Sequence, residues 1–212
     1  MNAKPEPPSA RGAASRQSPG RIREPGPPGP HDRPLRRLRA EAVRARFEQA
    51  LLRGDGSDGA HCVHELWMRG EIGGSVERML GQLWQQAAAS VPDWLPMRHV
   101  AWLPVAYEVA ARFQGTTRGR CSIYLVLLDF SDSSGDDPHG VYVGMTHYPP
   151  AERFDQHKAG IRAAGSVLRR GLELLAGPAL HLRRLSRAEA ARIEEDLAAA
   201  LAAAGVRVRG GH

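Results

Sequence analysis

The stretch from Cys121 to Lys158, CSIYLVLLDFSDSSGDDPHGVYVGMTHYPPAERFDQHK, limits the fold more than any other part of this chain. Ile123 to Phe130 is an apolar run broken only by Asp129, with the composition of a strand. A polar run of Asp, Ser and Gly follows, and Val141 to Met145 predicts a second short strand. Pro149-Pro150 then opens a helix, because proline is preset for the first helical turn and has no N–H to leave unpaired there. On that helix Arg153 and His157 are four residues apart and share one face. Two strands thus deliver Tyr124 and Tyr142 towards a helix that delivers a guanidinium and an imidazole, a phosphate-handling set of side chains.

Upstream, residues 1 to about 34 carry PEPP, SPG and REPGPPGP and almost no bulky apolar side chains. Such a segment cannot offset its ordering entropy and is expected to be a disordered, passive tail. Its arginines, Arg11, Arg16, Arg21, Arg23 and Arg33, would add only weak, salt-sensitive attraction to nucleic acid. From Leu35 the pattern turns helical, with Val43, Phe47 and Leu51 at successive fourth positions, and the glycine-rich run from Gly54 to Gly59 is expected to stop it. A second helix is expected over about 60–69, and a third from near Ser75 with Met79, Leu80, Leu83, Trp84 and Ala87 on one stripe. All four tryptophans lie between residues 67 and 102, so residues 35–119 are expected to fold as a helical extension. This extension reads either as a packing partner of the core or as a substrate-selecting or partner-binding module. His61-Cys62-Val63-His64 lacks the second cluster that a four-ligand zinc site requires.

The core domain is expected to span 120–212. Its hairpin loop, residues 131 to 140, is acidic but lacks the closing glutamate and ligand order of a calcium loop. Beyond Gly160 a short helix is expected over Val167 to Leu175, with Lys158, Arg162, Arg169 and Arg170 as candidate phosphate contacts. A third strand is expected over Ala179 to Leu185. Ser186 and Glu189 read as a capping box for a helix running to about Ala204. On this helix Ala190, Ile193, Leu197, Leu201 and Ala204 form one apolar stripe; Glu194 lies at its edge, whereas Glu195 and Asp196 point away.

Charge bears on the partner. The 212 residues hold 29 Lys and Arg against 23 Asp and Glu, a formal charge of +6, and nearly all the positive charge is arginine. Arginine pairs with phosphate through a planar fork, so a polyanion such as DNA is the expected partner. Two cysteines far apart argue against a disulfide framework, and with no signal-like or membrane-spanning run the expected location is cytoplasmic, away from membranes.

Taken together, Ser122-Ile123-Tyr124, Tyr142-Val143-Gly144, the Arg153 and His157 pair and Glu194 resemble the ordered motif set of the GIY-YIG endonuclease superfamily. The resemblance covers roughly residues 120 to 210. It implies an α+β core with a three-stranded antiparallel sheet flanked by helices, and metal-dependent cleavage of DNA. By the same resemblance the catalytic residues are Tyr124, Tyr142, Arg153, His157 and Glu194, with Glu194 the ligand of one Mg2+ or Mn2+. Tyr124 is the first choice for general base and Tyr142 positions water or phosphate, the reverse assignment staying open. Charge from Arg153, His157 and the metal would lower the phenol's pKa. Ser122 replaces the first motif's glycine, and the asparagine that follows the last helix in many relatives is missing. Two alternatives remain: a nucleic-acid-binding protein on this fold that has lost cleavage, and an interaction protein acting through the helical region.

Overall fold

In the computed structural model, residues 28–71, 73–116, 118–133 and 137–210 are described. Most of the expected tail lies outside them. Four helices come first: α1 (Ala40–Arg53), α2 (Gly56–Met68), α3 (Gly73–Ala87) and α4 (Leu103–Ala110). The glycine-rich run stops α1 as expected, but α2 begins within it rather than near residue 60. Gly54 takes the left-handed conformation (φ 64) that closes α1, Asp55 accepts a 3.0 Å hydrogen bond from the Asp58 N–H, and α2 starts at Gly56. The cause is packing. A Cβ on Gly56 would stand 2.5 Å from the Ala87 carbonyl oxygen, and one on Gly59 2.5 Å from Leu83, so both glycines serve a close approach of α2 to the α3 segment.

β1 (Cys121–Asp129) and β2 (His139–Thr146) form the expected antiparallel hairpin, with Tyr124 opposite Gly144 and Val126 opposite Tyr142. After it come α5 (Pro150–Lys158), α6 (Gly165–Arg170), β3 (Gly171–Leu174), β4 (Arg183–Leu185), α7 (Arg187–Ala203) and β5 (Val208–Gly210). The sheet is not the three-stranded antiparallel one expected. It has five strands in the order β3-β1-β2-β5, β4 also pairs with β1, and β5 runs parallel to β2. The expected third strand, Ala179 to Leu185, shortens to β4 (Arg183–Leu185), and β3 forms within the segment expected to be helix. β3 pairs with residues 126–128 of β1 and β4 with residues 121–122; between them Leu175 N–H donates to Leu125 O and Leu182 O accepts from Ile123 N–H, each at 2.9 Å. The helix expected over 167–175 ends at Arg170, because the free edge of β1 offers ladder bonds in place of a further helical turn.

Both faces of the sheet are covered. Ile123, Leu125, Leu127, Val141 and Val143 face α7 and the first four helices in one continuous core that includes Trp67, Trp94 and Trp102. Tyr124, Val126, Leu128 and Phe130 face the other way and pack with Val167, Phe154 and Leu174. Burial on both sides explains why β1 is apolar at almost every position instead of alternating. Ser186 caps α7, accepting from the Glu189 N–H at 3.2 Å. The Glu189 carboxylate accepts from the Thr116 N–H and hydroxyl, each at 2.7 Å, and so ties α7 to the segment before β1.

Residues 28–34, counted with the tail in the sequence, lie against the fold. Arg33 bonds the buried Glu65 carboxylate at 2.8 and 3.0 Å, and the Gly177 carbonyl accepts from His31 Nε2 at 2.9 Å. Among the described residues no helix is long and apolar enough to cross a membrane.

Candidate functional site

Tyr124 and Tyr142 stand on the α5/α6 face of the sheet with ring centroids 5.9 Å apart. Pairing of residue 124 with 144, and of 126 with 142, puts the two phenols diagonally across the hairpin. Both rings close over Gly144: a Cβ there would lie 2.6 Å from Tyr142 Cε1 and 2.8 Å from the Tyr124 hydroxyl oxygen. The glycine of the second motif is therefore a space requirement. Ser122 needs no such room, and its backbone is ordinary strand.

α5 lies across this face. His157 is 1% exposed, and its Nε2 is 2.7 Å from the Tyr124 hydroxyl oxygen. Its Nδ1 accepts from the Ala164 N–H at 2.9 Å. A backbone N–H can only donate, so Nδ1 carries no proton and the neutral ring bears its hydrogen on Nε2. Nε2–H consequently donates to Tyr124. Burial, followed by the Arg153 charge, lowers the His157 pKa to about 4, which agrees with a neutral ring. The expected positive charge from His157 is thus replaced by a directed N–H.

Arg153 is held from the opposite side of the same loop. Its guanidinium donates to Gln156 Oε1 at 3.1 Å and to the carbonyls of Ile161 and Arg162 at 3.3 and 2.9 Å. Arg162 adopts φ 46, and this left-handed turn belongs to the loop that brings both carbonyls to Arg153 and the Ala164 N–H to His157. Burial, with Tyr142 adding to it, pushes the Tyr124 phenol up, while Arg153 pulls it back. Burial and the Glu194 carboxylate raise Tyr142; Tyr124 and Arg153 oppose them.

Glu194 comes from α7 on the far side of the sheet, half-buried, near enough to Tyr142 to act on it electrostatically. Glu195 and Asp196 are exposed, and Arg192 pairs with Asp196 at 3.1 Å. The five residues named by the motif set come together from β1, β2, α5 and α7. The candidate phosphate contacts divide: Lys158 Nζ donates to the Gly171 carbonyl at 2.9 Å and Arg170 is paired with Asp132, whereas Arg162 and Arg169 are exposed. Beside Tyr124 a cleft of about 450 Å³ opens between the helical region and the sheet, with Trp84, Leu95, Pro149 and Arg183 in its walls.

Among the described residues no three His, Cys, Asp or Glu side chains gather to hold a metal. Glu194 is the single carboxylate of the motif set, so an ion held there would complete its shell with water, as magnesium prefers. His61 and His64 instead pack on Trp94, with ring centroids 5.1 and 5.5 Å away, and burial raises the Cys62 thiol to about 12.

Three groups had no sequence signal: the loop carbonyls at 161 and 162, the Ala164 N–H, and the pair Arg207 and Arg209, which β5 brings to the edge of β2. Comparisons with family models, with curated proteins and with solved structures found no match to this chain.

Proposed function

We propose that this protein is a metal-dependent DNA endonuclease of the GIY-YIG type. The observation that supports it most is the convergence of Tyr124, Tyr142, Arg153, His157 and Glu194 around the two phenols, although four separate elements supply them. A structural role for two packed tyrosines would not call for an arginine, a tautomer-locked histidine and a half-buried carboxylate beside them.

In this reading water attacks the scissile phosphorus, the bond to the 3′ oxygen breaks, and the water's proton passes to a phenolate. Tyr124 is the first choice for base, because the His157 Nε2–H is aimed at its oxygen. Arg153 favours ionisation of either phenol, and burial opposes it in both. Tyr142 keeps its proton and orients the attacking water. Arg153 offsets the charge that builds on the pentacovalent phosphorus, a contribution of about 3–4 kcal/mol in comparable sites. A magnesium or manganese ion at Glu194 supplies, when bound, a more acidic water and neutralisation of the departing oxygen.

The test is cleavage of supercoiled and branched DNA with magnesium or manganese, comparing wild type with Arg153→Ala and Glu194→Ala. Nicking by wild type and silence of both folded variants is the expected result. Binding without cutting under either metal would instead favour the non-cleaving DNA-binding alternative. The partner-binding alternative drew on the tryptophans, of which Trp67, Trp94 and Trp102 are buried.

A further inference from the structure

We propose that the β5 edge of the sheet is a second phosphate-binding subsite, in which Arg207 and Arg209 hold the nucleic-acid backbone beyond the scissile phosphate. The inference rests on nucleic acid being the substrate.

Register carries the argument. β5 runs parallel to β2 with Val208 beside Val141 and Arg209 beside Tyr142. Val208 packs into the main core, so the alternate residues 207 and 209 face the same side as the two tyrosines. There the guanidinium carbons of Arg207, Arg170 and Arg209 lie 3.9, 4.9 and 5.8 Å from the centroid of the Phe130 ring. Three cations around one ring repel one another. Asp132 answers one of them, bonding Arg170 at 2.6 and 2.9 Å; no carboxylate of the described residues forms an ion pair with Arg207 or Arg209. The Phe130 ring draws the guanidiniums without occupying their N–H groups, which remain to donate, and N–H donation is how arginine binds phosphate.

Position fits a continuous strand of DNA. The Phe130 ring lies over Gly140, where a Cβ would meet it at 2.6 Å, and the phenols lie over Gly144. Four residues of strand separate these points by about 13 Å. At ~3.4 Å of rise per phosphate on one strand, that distance spans up to about four phosphates. A backbone held at Tyr124 and Arg153 and continuing towards β5 therefore meets Arg209 and Arg207 within that many nucleotides of the cut. β5 is an edge strand and Arg209 is exposed, so nothing in the described residues covers it from outside the sheet.

The experiment measures binding of a short labelled DNA duplex by fluorescence anisotropy in EDTA, between about 50 and 200 mM salt. It compares wild type, Arg207→Gln with Arg209→Gln, the single Arg209→Gln, Arg207→Lys with Arg209→Lys, and Arg112→Gln as an exposed arginine away from the site. Loss of two phosphate contacts lowers the slope of log affinity against log salt by about 1.8 and weakens binding roughly 60-fold near 0.1 M salt. The single Arg209→Gln variant lowers the slope by about 0.9 and stands in if the double variant does not fold. The lysine pair and Arg112→Gln keep the wild-type slope. Wild-type slope and affinity in both glutamine variants would overturn the subsite and leave the nuclease reading intact. Failure of wild type to bind DNA at any of these salt concentrations would overturn both.

Discussion

At the scale of single residues, the arrangement around the two phenols leaves little room for change. Gly144→Ala places a methyl carbon against Tyr142 and the Tyr124 hydroxyl, so the rings must part. Overpacking of this kind costs about 1–3 kcal/mol, and a displaced base loses catalysis. Thermal melts and cleavage rates should therefore both fall for Gly144→Ala. His157→Phe keeps the bulk of the ring but leaves the Ala164 N–H and the Tyr124 oxygen without their partner. We expect it to destabilise the protein by about 1–3 kcal/mol by chemical denaturation. The pH–rate profile should also shift upward, because the phenolate loses a hydrogen bond that favours it. An unmoved profile in a folded variant would remove His157 from the role given to it here.

At the scale of elements, the loop from Ala159 to Ala164 does for the site what no single side chain does. It leaves α5, turns through the left-handed conformation at Arg162, and returns two carbonyls and one N–H to the helix it has just left. A β-branched residue is poorly suited to that conformation. Arg162→Val should lose about 1–2 kcal/mol of stability and cleave more slowly than Arg162→Gly, which should keep stability near wild type. Equal behaviour of the two would mean that the turn does not position Arg153. α7 shows the same dependence on contacts distant in sequence. Ser186→Ala removes its cap and should cost about 1 kcal/mol.

At the scale of the whole molecule, the helical region and the sheet share one core, and both parts bury polar groups. Burial pushes Glu65 up, but the guanidiniums of Arg33 and Arg69 outweigh it and hold the carboxyl below its ordinary value. Arg33→Ala removes one of the two and should cost about 3 kcal/mol, read from the urea midpoint. Buried histidines contribute to the acid response, His64 and His157 foremost. Burial lowers His64 to about 3 and His157 to about 4, both below the 6.5 of the unfolded chain. The unfolded state therefore binds more protons below pH 6.5. The stability these groups contribute is present above that pH and drains as pH falls towards 4, at about 1.4 kcal/mol per pH unit for each. Denaturation midpoints should drop steadily from pH 7 to pH 5; a flat profile would contradict the burial of both rings.

Local chemistry made much of this legible in advance. The β1–β2 hairpin, the proline-opened α5, the stripe of α7 and the inward edge position of Glu194 all follow from period, capping and spacing within a dozen residues. The same logic failed wherever the deciding contact came from far along the chain. Gly56 and Gly59 read as a break, yet they are the surface on which α2 meets the α3 segment. Residues 171–174 read as helix until the free edge of β1 is there to pair with them, and Val208 to Gly210 signal nothing until α7 returns them to the edge of β2. Glu189 reads as half of a capping box, and nothing local signals that its carboxylate binds Thr116. The sequence by itself determined the elements that carry Tyr124, Tyr142, Arg153, His157 and Glu194, because the type of each element is dictated by its own neighbours. Only the tertiary structure decided β3 and β5, the tautomer of His157 and the place of Arg207 and Arg209. Those depend on backbone hydrogen bonds and register between segments that meet only when the chain has folded.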